Sequence, residues 1–518
     1  MGKNYREVIG VVLDANIGNV GGESLWQWRS HALLFSTRRQ CLTVYAVKMR
    51  TVIKNGHVIN AWQRSEADVV VSDGRIEAVI ERNGGPGVLV GSSDAVIDAT
   101  DCLVIPGGVD AHVHMQLDTG TTVSSDTFFT GSVAAACGGT TTILDFAEQR
   151  AGGNVLASFE RRYAEAESQC VVDWGLHQVL GGVDAQSLVD ARSLIEREGV
   201  SSIKLFMAYP GRLYSDDGQM LRALQMCSET GMMAMVHAEN GLAIDVLIEQ
   251  AIAAGNTAPA FHALTRPAIL EAEAVHRAAV LSRVAGGAPL YIVHVSSSDA
   301  LAEVRAARRN GTNIFAETCP QYLHLSLEKT LGKGWPEGAG YICSTPLRSE
   351  HETHHTDLWN GLREDELAVV STDHCPFCLR EQKLMNGESF DRVPNGIGGV
   401  EHRLDLIYQG VVSGEISLER WVEVCATAPS RLFGLDTKGV IGVGFDADIV
   451  VYDPAASTTI SAATHHMNLD YSAYEGFVLQ GGVRTVMSRG DVIVDRGVVS
   501  ASAGRGKYMR RRVPALLR

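Results

Sequence analysis

Residues 202–209 read SIKLFMAY, an apolar, strand-forming run with Lys204 near its centre. A lone ammonium in such a strand costs several kcal/mol, so the lysine needs a partner or a neutral form. Seven further runs of the same texture surround it: LVIPGGVDAHVH (103–114), TTTILDFA (140–147), VVDWGLHQVL (171–180), MMAMVHAE (232–239), LYIVHVSS (290–297), TNIFAETC (312–319) and LAVVSTDH (367–374). Most are separated by helical patterns. In residues 270–285, for example, Leu270, Val275, Ala278, Leu281 and Val284 are expected on one buried face. Eight alternating strand and helix units predict an α/β fold, a TIM-like (β/α)8 barrel.

The two ends of the chain have another texture. MRTVIKNGHVINA (49–61) and ADVVVSDGRIEAVIE (67–81) read as short strands with glycine turns, and GFDADIVVYDP (444–454) and VRTVMSRGDVIVDRGVV (483–499) repeat it. Both ends are expected to meet in one smaller β-sandwich domain. The predicted division is an N-terminal extension over 1–48, flexible and outside this plan; sandwich parts over 49–102 and 439–500; the barrel over 103–438; and a tail over 501–518. Met49 would make a natural first residue. The basic run of the tail, GKYMRRRVPALLR, is read as solvated or subunit-contacting.

Composition narrows the function. The 518 residues are 45% hydrophobic and carry 45 basic against 60 acidic side chains, a formal charge of −15 that disfavours a nucleic-acid surface and points to a small substrate. No apolar run reaches bilayer-spanning length, so no membrane partner is expected. The ten cysteines show no disulfide spacing, which predicts a cytoplasmic protein with reduced thiols. Cys375 and Cys378 form a CxxC without a second pair and are read as incidental thiols.

In a barrel of this kind the chemistry sits at the C-terminal ends of the strands. Here those ends carry His112 and His114, Lys204, His237, His294 and Asp373, polar ligand types at five of eight positions. His112 and His114 stand two apart on a strand, so both side chains take one face and can grip one metal ion. A cluster of imidazoles and a carboxylate suits zinc or a similar divalent ion. His177, His262, His465 and His466 are read as structural, and His374 as a residue that orients a ligand.

PGGVDAHVH, AACGGTTTILDFAEQ, IKLFMAYPG, MVHAENG, YIVHVSS, AETCPQYL, STDHCPF, PNGIGGVEHR and DYSAYEG, in this order from Met49 to the tail, together resemble the dihydropyrimidinases and D-hydantoinases, cyclic-amide hydrolases of the amidohydrolase superfamily. The resemblance implies two divalent metal ions per subunit, zinc being expected, and carbon dioxide held as a carbamate on Lys204 (N6-carboxylysine). It assigns His112, His114 and Asp373 to one ion, His237 and His294 to the other, and the Lys204 carbamate to both. A bridging hydroxide would be the nucleophile, with Asp373 passing its proton to the departing nitrogen. Tyr209 would stabilise the oxyanion, and the loops at Ser344 and Asn395 would hold the substrate through backbone groups.

The implied reaction opens 5,6-dihydropyrimidines or 5-substituted hydantoins to N-carbamoyl amino acids, in a homotetramer or homodimer. Met115, Leu117 and Leu213 are expected to shape the pocket for the ring substituent. Thr345 stands where many relatives carry proline, and Thr372 follows Ser371 where the pair is often Gly-Ser or Ser-Ser; neither change removes a ligand. An allantoinase shares the two-metal frame and is the nearest enzymatic rival. Dihydroorotase would want a basic residue near the ring, and a non-enzymatic scaffold homologue would have lost ligands that this chain retains.

Overall fold

All eight apolar runs become strands of one parallel barrel. In chain order they are Gly108–Asp110, Thr140–Gln149, Asp173–Leu180, Ser202–Phe206, Met233–His237, Leu290–Ile292, Ile314–Thr318 and Val369–Val370, each paired with the next. The structure is a computed structural model that describes residues 50–85 and 87–517, with the backbone pairing of Ala32–Leu33 and Tyr45–Ala46. The expected extension over 1–48 otherwise lies outside the described residues.

Inward residues such as Val109, Leu144, Met233, Met235 and Tyr291 fill the barrel, and Phe433 and Leu517 join the same cluster. The interior is a packed core, as a barrel of eight strands requires. Chemistry is thereby confined to one mouth.

Side chains reinforce the seam between the first and last strands. Val113 and His374 form an isolated parallel bridge, and the His114 amide donates to the His374 carbonyl at 2.8 Å. Just below, the buried guanidinium of Arg403 donates through Nη1 to the carbonyls of Val109 (3.0 Å) and Val370 (2.9 Å). The Thr372 hydroxyl donates to Asp110 Oδ2 at 2.7 Å across the same seam. The ends of these two strands carry His112, His114 and Asp373.

The chain ends form one nine-stranded sheet in which Arg50–Asn60 pairs with Gln63–Ser72 and Leu103–Pro106, and Leu103–Pro106 pairs with Ile449–Thr459. Ile53, Val69, Val104, Ile449 and Met487 share its core, so both ends do meet in one small domain. Leu103–Pro106 belongs to this sheet, because its register with Ile449–Thr459 is antiparallel and continuous; the first barrel strand begins at Gly108, not at 103. Lys438 is buried at the joint and donates to Asp173 of the third barrel strand at 2.6 Å and to Asp448 at 2.7 Å. The ammonium has carboxylate partners from both units, which meets the cost of its burial.

Two expectations are corrected. The tail is not simply solvated: the Trp174 amide donates to the Lys507 carbonyl, the Met509 amide to the Trp174 carbonyl, and buried Arg511 reaches Ser202 Oγ (3.1 Å) and the Leu176 carbonyl. It is pinned to the lower edge of the barrel because free backbone groups there need partners. Along Ala268–Val284 the buried face holds Glu271, Ala272, Ala274, Val275, Ala278 and Ala279, while Val284 is exposed. Alanines allow close packing there, and Glu271 is drawn inside by Arg348 at 2.8 Å.

Candidate active site

Three ligand-type atoms meet at the seam. His112 Nε2, His114 Nε2 and Asp373 Oδ1 lie 3.2 Å from one another. The buried carboxylate of Glu317 takes the Nδ1–H of His112 at 2.5 Å, which fixes the tautomer and leaves the Nε2 lone pair facing the cluster. Glu317 is itself held by the Tyr291 hydroxyl at 2.8 Å and the His294 amide at 3.3 Å.

A second pair lies beside the first. Glu239 accepts from His237 Nε2 at 2.7 Å, so His237 Nδ1 presents its lone pair toward His294 Nε2 at 2.9 Å. Burial, then the charge of Lys204, holds His112 well below the usual imidazole range; burial, then His237, does the same for His294. Neutral imidazoles are the ligating form.

Lys204 stands at the cluster. Its side chain is buried, with Nζ 3.5 Å from His112 Nε2 and about 5 Å from the rings of Phe146 (5.0 Å) and Phe206 (5.1 Å). Burial pulls its pKa down to about 8, against the opposing pull of Asp373 and Glu317. Asp373 is pushed up by burial, but His112, the hydrogen bond with His114 and Lys204 outweigh that and hold it below the usual range.

Tyr209, His294 and Asp373 all sit at positive φ (61°, 42° and 52°). Such backbone costs of order 1–3 kcal/mol per residue and persists where surrounding structure over-determines it. Three strained residues in one mouth mark it as built for more than packing.

This mouth opens into a cavity of about 630 Å3 lined by His112, His114, Lys204, Tyr209, His237, His294, Ser344, Asp373 and Asn395, which brings the expected metal, catalytic and ring-binding residues together. Burial pushes the Tyr209 hydroxyl up to about 12, against hydrogen bonding with Ser344 and Asn395, and it stays protonated as a donor. Asn395 Nδ2 donates to Ser344 Oγ at 3.0 Å. Leu117 and Leu213 line the wall as expected. Met115 does not: its amide is held by Asp145 at 2.7 Å, and its side chain is packed against Gly131, where an added Cβ would meet Met115 Sδ.

His374 contacts Asp126 (3.1 Å) and the Gly399 amide (3.1 Å), away from the ligand atoms; it supports the site through its main chain. His177 bridges Ser202 and the Ala111 carbonyl, and His262 accepts from Arg266 and bonds the Cys343 carbonyl, both as structural residues. Cys375 and Cys378 are free thiols.

The residues fit a metal centre. His112, His114 and Asp373 each turn one ligand-type atom to a common point, and the buried Nδ1 atoms of His114 and His294 have no hydrogen-bond partner among the described residues. Two imidazole nitrogens and a carboxylate oxygen at this spacing are a donor set that suits a divalent cation. Glu317 and Glu239, which orient the two imidazole sets, escaped the sequence reading. Both left a signal: Glu239 follows His237 by two, just past the end of the strand Met233–His237, and Glu317 is a carboxylate inside an apolar run, as Lys204 is an ammonium in one.

A barrel with ligand-type side chains gathered at one mouth suits a hydrolase, and the comparisons give the family. The model of the amidohydrolase family matches residues 103–493. The chain is 51% identical over 463 residues to the D-hydantoinase of Streptomyces coelicolor, covering 89% of this chain and 98% of that protein. It is 41% identical over 465 residues to the D-hydantoinase of Geobacillus stearothermophilus, covering 89% and 97%. The crystal structure of dihydropyrimidinase from Brevibacillus agri superposes with a TM-score of 0.87 at 40% identity, over 90% of this chain and all of that one (100%). The chain therefore belongs to the amidohydrolase family, within its dihydropyrimidinase and D-hydantoinase group of cyclic amidohydrolases.

Proposed function

We propose that the chain opens the ring of 5-substituted hydantoins, 5,6-dihydropyrimidines or both, giving N-carbamoyl amino acids, at a centre of two divalent ions. The observation that carries this reading is the convergence of His112, His114, Lys204, His237, His294 and Asp373 on one cavity that also holds Tyr209. His112, His114 and Asp373 would hold one ion and His237 and His294 the other, with Lys204 serving both. When bound, the ions, zinc by the character of the donor set, supply Lewis acidity for the ring carbonyl and a water acidic enough to attack near neutral pH.

Lys204 serves as a carbamate. Its amine, neutral more readily than an exposed lysine's, forms an N–C bond to carbon dioxide while one C=O pair moves onto oxygen, and the surplus proton on nitrogen leaves to solvent. A cation becomes an anion with two oxygens, suited to two neighbouring cations.

Asp373 takes the proton released as water adds to the carbonyl carbon and hands it to the ring nitrogen as the C–N bond breaks. The Tyr209 hydroxyl donates to the oxygen on which negative charge develops. Backbone groups at Ser344 and Asn395 hold the ring, and Leu117 and Leu213 meet its substituent.

The test is a turnover panel of dihydrouracil, dihydrothymine, hydantoin, 5-phenylhydantoin and allantoin on metal-replete enzyme. Release of N-carbamoyl products from any of the first four supports the reading. Turnover of allantoin alone would replace it.

A further inference from the structure

Lys383 is fully buried (0% exposed) and lies outside the metal cluster. Its Nζ donates to the carbonyls of Ile342 at 2.8 Å and Pro394 at 3.2 Å. Those carbonyls lie two residues before Ser344 and one before Asn395, on separate loops that both border the cavity. The Gly396 amide also donates to the Ile342 carbonyl at 3.0 Å, and Asn395 Nδ2 to Ser344 Oγ at 3.0 Å, so the two loops meet directly beside the lysine as well as through it. Burial draws the lysine's pKa to about 7, and the groups nearest it electrostatically are the thiols of Cys343 and Cys375. A buried amine of this kind carries a desolvation cost that an apolar side chain of equal volume would avoid. The purpose it serves is to be sought in the two carbonyls it holds.

We infer that Lys383 is a positioning residue for substrate: it clips the 342–345 and 394–397 loops together so that the backbone groups at Ser344 and Asn395 are set at one spacing before a ring arrives. The inference rests on the proposed role of those two loops. It goes beyond that role by placing control of ring affinity in a residue that lines no part of the cavity. Preorganised donors and acceptors lower the ordering cost of binding, so the clip acts on ground-state affinity.

The experiment compares Lys383→Met and Lys383→Gln with Gly396→Ala on metal-replete enzyme, reading KM and kcat for hydantoin, metal content, and hydrogen exchange of peptides spanning 342–345 and 394–397. Gly396→Ala displaces the same loop by another route, since its Cβ would lie 2.0 Å from the Cys375 carbonyl oxygen. The expected result is a KM raised about tenfold or more in Lys383→Met, the scale of one lost hydrogen bond to a charged donor, with kcat within about threefold and metal content unchanged. Lys383→Gln, which keeps a donor for one carbonyl, should fall between, and exchange in both loops should quicken. If Gly396→Ala raises KM while Lys383→Met leaves it unaltered, the clip is wrong; if neither moves KM, the assignment of these loops to substrate fails. Loss of folding in both lysine variants would make Lys383 a folding element and overturn the inference.

Discussion

The Thr372 hydroxyl donates to Asp110 Oδ2 at 2.7 Å, and the Thr372 amide reaches Oδ1 of the same carboxylate at 3.2 Å. Thr372 precedes Asp373, Asp110 lies two residues before His112, and the His112 amide also donates to Asp110 Oδ1, at 3.3 Å. One buried carboxylate thus sets the spacing between His112 and Asp373 across the seam of the first and last strands.

Thr372→Val keeps the shape of that seam and removes the hydroxyl. A buried carboxylate losing a donor costs about 1–3 kcal/mol, so the variant is expected to melt several degrees lower and to hold metal more weakly, while Thr372→Ser restores both. Calorimetry with elemental analysis of dialysed protein checks this; unchanged metal retention in Thr372→Val would show that the seam does not govern the site.

Glu317→Gln keeps the volume but loses the carboxylate that commits His112 Nδ1–H. Loss of such an orienting partner typically weakens metal binding about 10–100-fold. Competition with a chelator should show that drop, with far-ultraviolet circular dichroism unaltered.

Tyr209→Phe removes one hydroxyl from the cavity wall. If that hydroxyl meets the developing oxyanion, kcat should fall about 10²–10³-fold, with KM changed by less than threefold (~0.6 kcal/mol). A rise in KM with kcat preserved would reassign Tyr209 to ground-state binding.

The barrel and the side chains gathered at its mouth were legible for a physical reason: strands buried on both faces read as short continuous apolar runs, and a polar or charged residue at the end of such a run stands out. Lys204, His237 and His294 were legible in that way, and Glu317 would have been. Met115 was misplaced because its direction depends on the turn at Gln116, which has φ of 38°, and on the hold of Asp145 on its amide. Arg403 and Lys383 were invisible, since each answers to main-chain carbonyls from distant segments that only the fold brings together.

Carbamate formation on metal-free enzyme should depend on pH through Lys204. Burial lowers its pKa to about 8, so the neutral, reactive amine is about half populated at pH 8 and about a tenth at pH 7, against well under about 1% for an ordinary lysine. Reconstitution with metal and bicarbonate should therefore accelerate from pH 6.5 to 8.5 and then level off. At fixed dissolved carbon dioxide, rates that still climb tenfold per unit above pH 9 would indicate an ordinary lysine.

The most direct test of the account is the metal content of the folded chain, measured by elemental analysis beside turnover of hydantoin, in the wild type and in Lys204→Ala. About two divalent ions per wild-type chain, a loss of at least one in the variant, and no turnover without them are the expected results. A wild-type chain that turns over substrate with one ion or none, or a Lys204→Ala chain that keeps full metal and full activity, would contradict the carbamate-bridged pair.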